Sequence, residues 1–201
     1  MNIIKDFIPV TNINRPNRHN SCLSITIHNT DNTAKGANAK SHAEYIKRIP
    51  VKTSWHYTVD DKQIYQHIPD TEASYHTNNR EGNDTSIAIE ICMNSDGDIK
   101  KATDNAVWLV KQLRNTHGKI PLKQHYDWSK KNCPSQLREG IPYTWSEFVE
   151  KCEGCGIMTK EEAIKVVQNT CGFDKNTMKY LSEYKYGSEL LIRIAKAIKR
   201  I

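Results

Sequence analysis

His28, His125 and Cys133 are the residues whose types and setting most clearly offer chemistry. His28 closes the alternating segment Leu23-Ser24-Ile25-Thr26-Ile27-His28, and the other two belong to His125-Tyr126-Asp127-Trp128-Ser129-Lys130-Lys131-Asn132-Cys133-Pro134. Two imidazoles and a thiolate make a three-ligand set for zinc that leaves a fourth tetrahedral position for water. Structural zinc sites are usually closed by four protein ligands, so three point to hydrolysis. A chain with eight histidines and six cysteines also produces such pairings by chance. The segments around each member therefore carry the argument.

Ser86–Ile91 alternates strictly, with Ile87, Ile89 and Ile91 on one face and Ser86, Ala88 and Glu90 on the other. A glutamate among apolar neighbours is expensive to bury unless paired, and an ordinary outward-facing residue is the plain alternative. If Glu90 shares a side of the sheet with His28, it becomes a candidate base for water at the metal and a proton donor to a departing amine. Lys131, two residues before Cys133, could face the oxygen that becomes negative in a tetrahedral intermediate; a lysine in a Lys-Lys pair is also common surface decoration. Pro134 would stiffen the loop holding the thiolate, and Trp128 could wall the pocket. A thiol hydrolase using Cys133 with His125 is a competing chemistry, which chelators would spare.

The elements that must position these residues follow from periodicity. Residues 22–28 read as a strand with one buried face, carrying Leu23, Ile25 and Ile27. Ala34 to Arg48 reads as a helix. Trp55–Val59 and Asp60–Ile68 read as a hairpin turning at Asp60-Asp61, and Ser86–Ile91 as the central strand. Thr103 to His117 is helical, with Ala106, Val107, Val110 and Leu113 on one stripe and Gly118 as its stop. A ligand-bearing loop follows, and Tyr143 to Glu150 adds a closing helix. The order implies a mixed α/β domain over residues 1–152. Beyond Gly154-Cys155-Gly156 the pattern changes. A capping box at Thr159–Glu162 opens one helix ending at Cys171-Gly172, Asp174 caps a second to about Tyr184, and Gly187-Ser188 begins a third carrying Leu190, Leu191, Ile194, Ile198 and Ile201. Residues 157–201 thus form a small helical bundle, near the lower size limit for independent folding, which docking or oligomerisation through these helices would help.

The 201 residues, 37% hydrophobic, fit one good domain plus this appendage. No apolar run reaches the roughly 20 residues of a membrane helix, and Met1–Pro9 is too short and interrupted for a secretory apolar core. A net charge of +6 favours polyanionic partners such as nucleic acid or bacterial wall polymers. No nucleic-acid motif accompanies the charge. The cysteines are irregularly spaced and do not read as a disulfide framework. Cys152-Glu153-Gly154-Cys155 is a lone CxxC at the domain junction.

The stretches ITIHNT (25–30), SWHYTVDDKQIYQHIP (54–69), SIAIEI (86–91) and HYDWSKKNCP (125–134) resemble, in order, the type-2 family of N-acetylmuramoyl-L-alanine amidases. The family includes phage endolysins, bacterial autolysins and peptidoglycan-recognition domains. The resemblance implies zinc at His28, His125 and Cys133, catalytic roles for Glu90 and Lys131, and a central mixed sheet flanked by helices with the zinc in a surface cleft. It also implies hydrolysis of the amide joining N-acetylmuramic acid to L-alanine in peptidoglycan. Asn29, Trp55, His76 and Trp128 are its candidate substrate contacts; Asn29 could instead orient the first ligand, and His56 could line the cleft, though a place behind the ligands or on the plain surface is favoured for it. Some members place a catalytic Tyr where this chain has Trp55, so Glu90 must carry the proton transfers. A phage or prophage endolysin is the leading expectation: held in the host cytoplasm until a pore releases it to the wall, its C-terminal helices binding wall polymers. The alternatives are a non-catalytic wall-binding protein of the same fold, against which Cys133 argues, and a bacterial autolysin with the same chemistry.

Overall fold

The computed structural model describes residues 1–154, 160–184 and 187–199. Six strands form one sheet: β1 (Ile3–Lys5), β2 (Ser24–Asn29), β3 (Tyr57–Val59), β4 (Ile64–Gln66), β5 (Ser86–Ile91) and β6 (Leu122–Gln124), in the order β1-β4-β3-β5-β2-β6. β3 and β4 are the antiparallel hairpin, and the other ladders are parallel. The helices of this part are α1 (Ala39–Ile46), α2 (Arg80–Thr85), α3 (Ile99–His117), α4 (His125–Ser129), α5 (Ser135–Glu139) and α6 (Trp145–Glu153). The chain divides into two compact units, Met1–Glu153 and Gly154–Ile201.

The sheet has one apolar face. Ile25, Ile27, Tyr57, Val59, Ile87, Ile89 and Ile91 pack in a single core with Ala102, Ala106, Leu109, Val110 and Leu113 of α3 and Phe148 of α6. Full burial of each such isoleucine contributes about 1.5–3 kcal/mol. The opposite parity carries Thr26, His28, Thr58, Ser86 and Glu90, a polar set that the fold keeps from bulk water.

Residues 22–28 read as a strand with one buried face, but every residue of β2 is buried. The reason is its place between β5 and β6, paired in parallel on both sides, where both faces of a sheet are covered. Leu23, expected inside, precedes the strand and is 61% exposed. The helix expected from Ala34 begins only at Ala39, because Gly36 takes φ +78° and Asn38 then caps, accepting from the Ser41 backbone N–H at 3.0 Å. α3 begins a turn earlier than Thr103, because Asp98 caps it by accepting from Lys101 N–H at 3.0 Å. It ends at Gly118, whose φ of +81° favours glycine. The hairpin turn is held by Asp60, whose Oδ1 accepts from the Lys62 and Gln63 N–H groups at 2.7 and 2.6 Å.

The second unit contains α7 (Lys160–Cys171), α8 (Lys175–Glu183) and α9 (Gly187–Lys199). Its core gathers Ala163 and Val167, Met178, and Leu191 and Ala195, one group from each helix. Asp174 caps α8, its side chain accepting from Asn176 and Thr177 N–H. Thr159 of the expected capping box, Cys155 of the CxxC and Ile201 of the third helix lie outside the described residues. No helix among the described residues is long and apolar enough to cross a membrane.

Candidate active site

β2 and β5 deliver two of the key side chains by register alone. His28 pairs with Glu90 across the parallel ladder, so both side chains leave the same face. Glu90 Oε1 stands 3.9 Å from His28 Nδ1. The third and fourth residues come from the segment after β6, which is two short helices rather than the expected loop. His125 is the first residue of α4, and Cys133 lies just before α5. Tyr126 N–H donates to the Cys133 carbonyl at 3.0 Å. Lys130 turns the chain with φ +61°. The Arg138 guanidinium stacks 3.8 Å over the Tyr126 ring and its Nε donates to Asn132 Oδ1 at 2.7 Å, pinning the bend.

Three ligand atoms converge. His28 Nδ1 is 3.1 Å from His125 Nδ1 and 3.8 Å from Cys133 Sγ, and the potential ligand atoms of all three residues lie within 4.8 Å of one another. A tetrahedral zinc ion with ordinary bond lengths requires N–N and N–S edges of about 3.3 and about 3.6 Å. The donor set therefore fits such an ion in both chemistry and spacing. Glu90 Oε2 is buried with no hydrogen-bond partner among protein groups, a costly state for a carboxylate unless a ligand meets it.

The electrostatics fit the same cation. Burial, then neighbouring imidazoles, holds His28 and His76 well below the usual imidazole range. Burial, then Lys131, pulls His125 down to about 4. These rings are neutral and offer lone pairs. Burial pushes Cys133 up to about 12, with Glu90 adding to the effect, so a bound cation is what would make it a thiolate. Burial likewise raises Glu90 to about 8, opposed by Lys131.

A cavity of about 350 Å³ opens on this point, lined by His28, Trp55, His76, Glu90, His125 and Lys131 together with Lys52, Thr53, Ser54, Tyr75, Asn78 and Asn83. A second, of about 440 Å³, shares Thr53, Trp55 and Glu90 with it and is otherwise lined by Thr30, Asn32, Ala37, Ser41, His42 and Tyr45. Trp55 borders both; its indole N–H donates to Thr58 Oγ1 at 2.6 Å. Tyr57 points into the isoleucine core, where its hydroxyl donates to Asp70 Oδ1 at 2.5 Å, so the Tyr57 phenol does not replace the one that Trp55 displaces.

Two expected contacts sit elsewhere. Trp128 does not line the cavity; its indole N–H donates to Thr26 Oγ1 at 2.9 Å, and it packs on Gly82. Asn29 clamps the thiolate loop, accepting from Ser135 N–H at 2.8 Å and donating to Ser135 Oγ at 3.0 Å. His56 is fully buried and structural: its Nδ1 accepts from Ala88 N–H at 2.9 Å and its Nε2 reaches the Glu72 carbonyl at 2.8 Å. Lys52, Thr53 and Asn78, outside helices and strands, and Asn83 of α2 line the cleft without any motif; only their nearness in sequence to Trp55 and His76 hints at them.

Comparison with known proteins places this geometry. Residues 18–136 match the family model described as N-acetylmuramoyl-L-alanine amidase. N-acetylmuramoyl-L-alanine amidase CwlH of Bacillus subtilis is 42% identical over 202 residues, covering 98% of this chain and 76% of that protein. N-acetylmuramoyl-L-alanine amidase XlyA of the same organism is 49% identical over 164 residues, covering 79% of this chain but only 54% of that protein. The solved catalytic domain of XlyA superposes with a TM-score of 0.69 at 48% identity, covering 78% of this chain and 100% of that domain.

Proposed function

Since this chain belongs to the N-acetylmuramoyl-L-alanine amidase family, we propose that it hydrolyses the amide between N-acetylmuramic acid and L-alanine of bacterial peptidoglycan, with zinc held by His28, His125 and Cys133. The observation that carries this reading is the convergence of three ligand atoms beside Glu90, with His28, His125 and Glu90 lining one cavity. Bound there, zinc would supply Lewis acidity, bringing the pKa of water to about 7 and polarising a carbonyl.

The protein's own groups supply the rest. Glu90 takes the proton of the attacking water as its oxygen joins the amide carbon; a cation at the three ligands would favour the ionised carboxylate this needs, against the burial that raises it. The same carboxyl then delivers that proton to the nitrogen of L-alanine as the C–N bond breaks. Lys131, whose charge acts on Glu90, His28 and His125 alike, stabilises the negative oxygen of the tetrahedral intermediate. Trp55 walls the cleft at Glu90. Burial raises the Cys133 thiol and lowers the His125 ring, both directions opposed to the thiolate–imidazolium pair that the thiol-nucleophile alternative requires.

The action belongs at the cell wall. The helices α7–α9 supply a candidate wall-binding module, with Tyr180 of α8 74% exposed and Phe173, between α7 and α8, 39% exposed, which would raise the local substrate concentration by tethering. The test is product analysis of digested peptidoglycan: new amino termini must be L-alanine, and release of reducing sugar ends or other amino termini instead would overturn the assignment.

A further inference from the structure

His76 lies outside the three-ligand set, yet its ring is within hydrogen-bond distance of the first ligand. Its Nδ1 stands 2.9 Å from His28 Nε2, and the rings meet edge to face with centroids 5.1 Å apart. A neutral imidazole carries one proton. If His28 coordinates through Nδ1, the atom facing His125 and Cys133, its proton sits on Nε2 and must be donated to an acceptor. His76 Nδ1 is that acceptor, which leaves the His76 proton on its own Nε2. His76 Nε2 is itself buried and meets no hydrogen-bond partner among the described residues, so the contact to His28 is the one hydrogen bond this ring makes there.

The segment bearing His76 is itself held by one side chain. Asn83 Oδ1 accepts from the His76 N–H, the Thr77 N–H and the Thr77 hydroxyl, each at 2.9 Å. Asn83 lies on α2, whose Asn79 cap accepts from Gly82 N–H at 3.1 Å.

We propose that His76 is a positioning residue that fixes the tautomer and ring orientation of His28, with Asn83 holding it in place, so that the His28 Nδ1 lone pair is aimed at the metal before metal arrives. This rests on the reading that His28, His125 and Cys133 hold zinc, and adds a residue that no ligand count would include. Loss of such an orienting partner costs metal affinity roughly 10- to 100-fold.

The test compares His76→Leu, which removes the acceptor, with His76→Asn, whose Oδ1 falls near the place of the imidazole Nδ1. Zinc dissociation constants are measured by competition with a chromogenic chelator. The expected result is weakening of about 10- to 100-fold in His76→Leu and recovery to within a few-fold of wild type in His76→Asn. Equal zinc affinity in His76→Leu and wild type would overturn the proposal, as would an Asn variant as weak as the Leu one. Nitrogen NMR of the metal-free wild-type protein supplies a second readout independent of any variant's folding: His28 must be the Nε2–H tautomer, and an Nδ1–H tautomer contradicts the relay. Failure of the wild-type chain to bind zinc at all would instead strike the underlying ligand assignment.

Discussion

His28 and Glu90 sit opposite each other on neighbouring parallel strands, with Nδ1 and Oε1 3.9 Å apart, His28 buried and Glu90 partly buried on the polar face of the sheet. A ladder register thus places a candidate metal ligand and a candidate proton carrier side by side without any loop having to bring them together. Sites built on strands are held more tightly than sites on loops, since backbone hydrogen bonds fix both partners.

Glu90→Gln is the direct probe of that pairing. The amide keeps the size of the carboxyl but cannot take a proton, so kcat should fall by about 100- to 10,000-fold while zinc content stays at the wild-type level. A variant that cleaves walls at a near-normal rate would show that another group moves the protons.

Cys133→Ser separates metal holding from chemistry. Serine is a poor zinc ligand beside a thiolate, so elemental analysis after dialysis should find the metal largely lost. Retained zinc in this variant would remove Cys133 from the ligand set.

For Lys131→Met the expected loss lies in kcat, about 100- to 1,000-fold, with zinc content unchanged. The signature of transition-state stabilisation is that kcat and kcat/KM fall together. A change confined to KM would make Lys131 a substrate-binding residue.

Stability should respond to acid through His67. This ring is fully buried, has its Nε2 2.8 Å from Thr58 Oγ1, and is pulled down to about 3 by burial. Its folded pKa lies below the unfolded value of about 6.5, so the unfolded chain binds the proton first. Stability is therefore present above pH 6.5 and is lost as pH falls through the window toward 3. Between pH 7 and 5 this one residue accounts for about 2 kcal/mol of unfolding free energy in the metal-free protein. Urea denaturation of His67→Gln should show a shallower loss over that interval; an unchanged pH slope would refute the assignment.

Much of the site was legible in strand parity. Period-2 alternation put His28 and Glu90 on the polar sides of their strands, and the isoleucines of β5 on the other. What alternation does not carry is strand order, so the burial of both faces of β2 was invisible until its two parallel neighbours were known. Three-residue β1 and β6 are too short for any period to register. The helices α4 and α5, five residues each, lack a full amphipathic turn, and their segment reads as a loop. The relay from His28 to His76 joins residues 48 apart in sequence, a contact that no local pattern announces. Trp128 was misleading for a similar reason: its neighbours in sequence are at the site, but helical turning of α4 sends its indole to Thr26.

The account turns on a single cation joining His28, His125 and Cys133 beside Glu90. The most direct test strips the protein with a chelator, then restores zinc stepwise while release of amino groups from purified peptidoglycan is followed. Activity must vanish on stripping and climb in proportion to zinc until each chain holds one ion. Full wall hydrolysis by protein shown to be free of metal would contradict it.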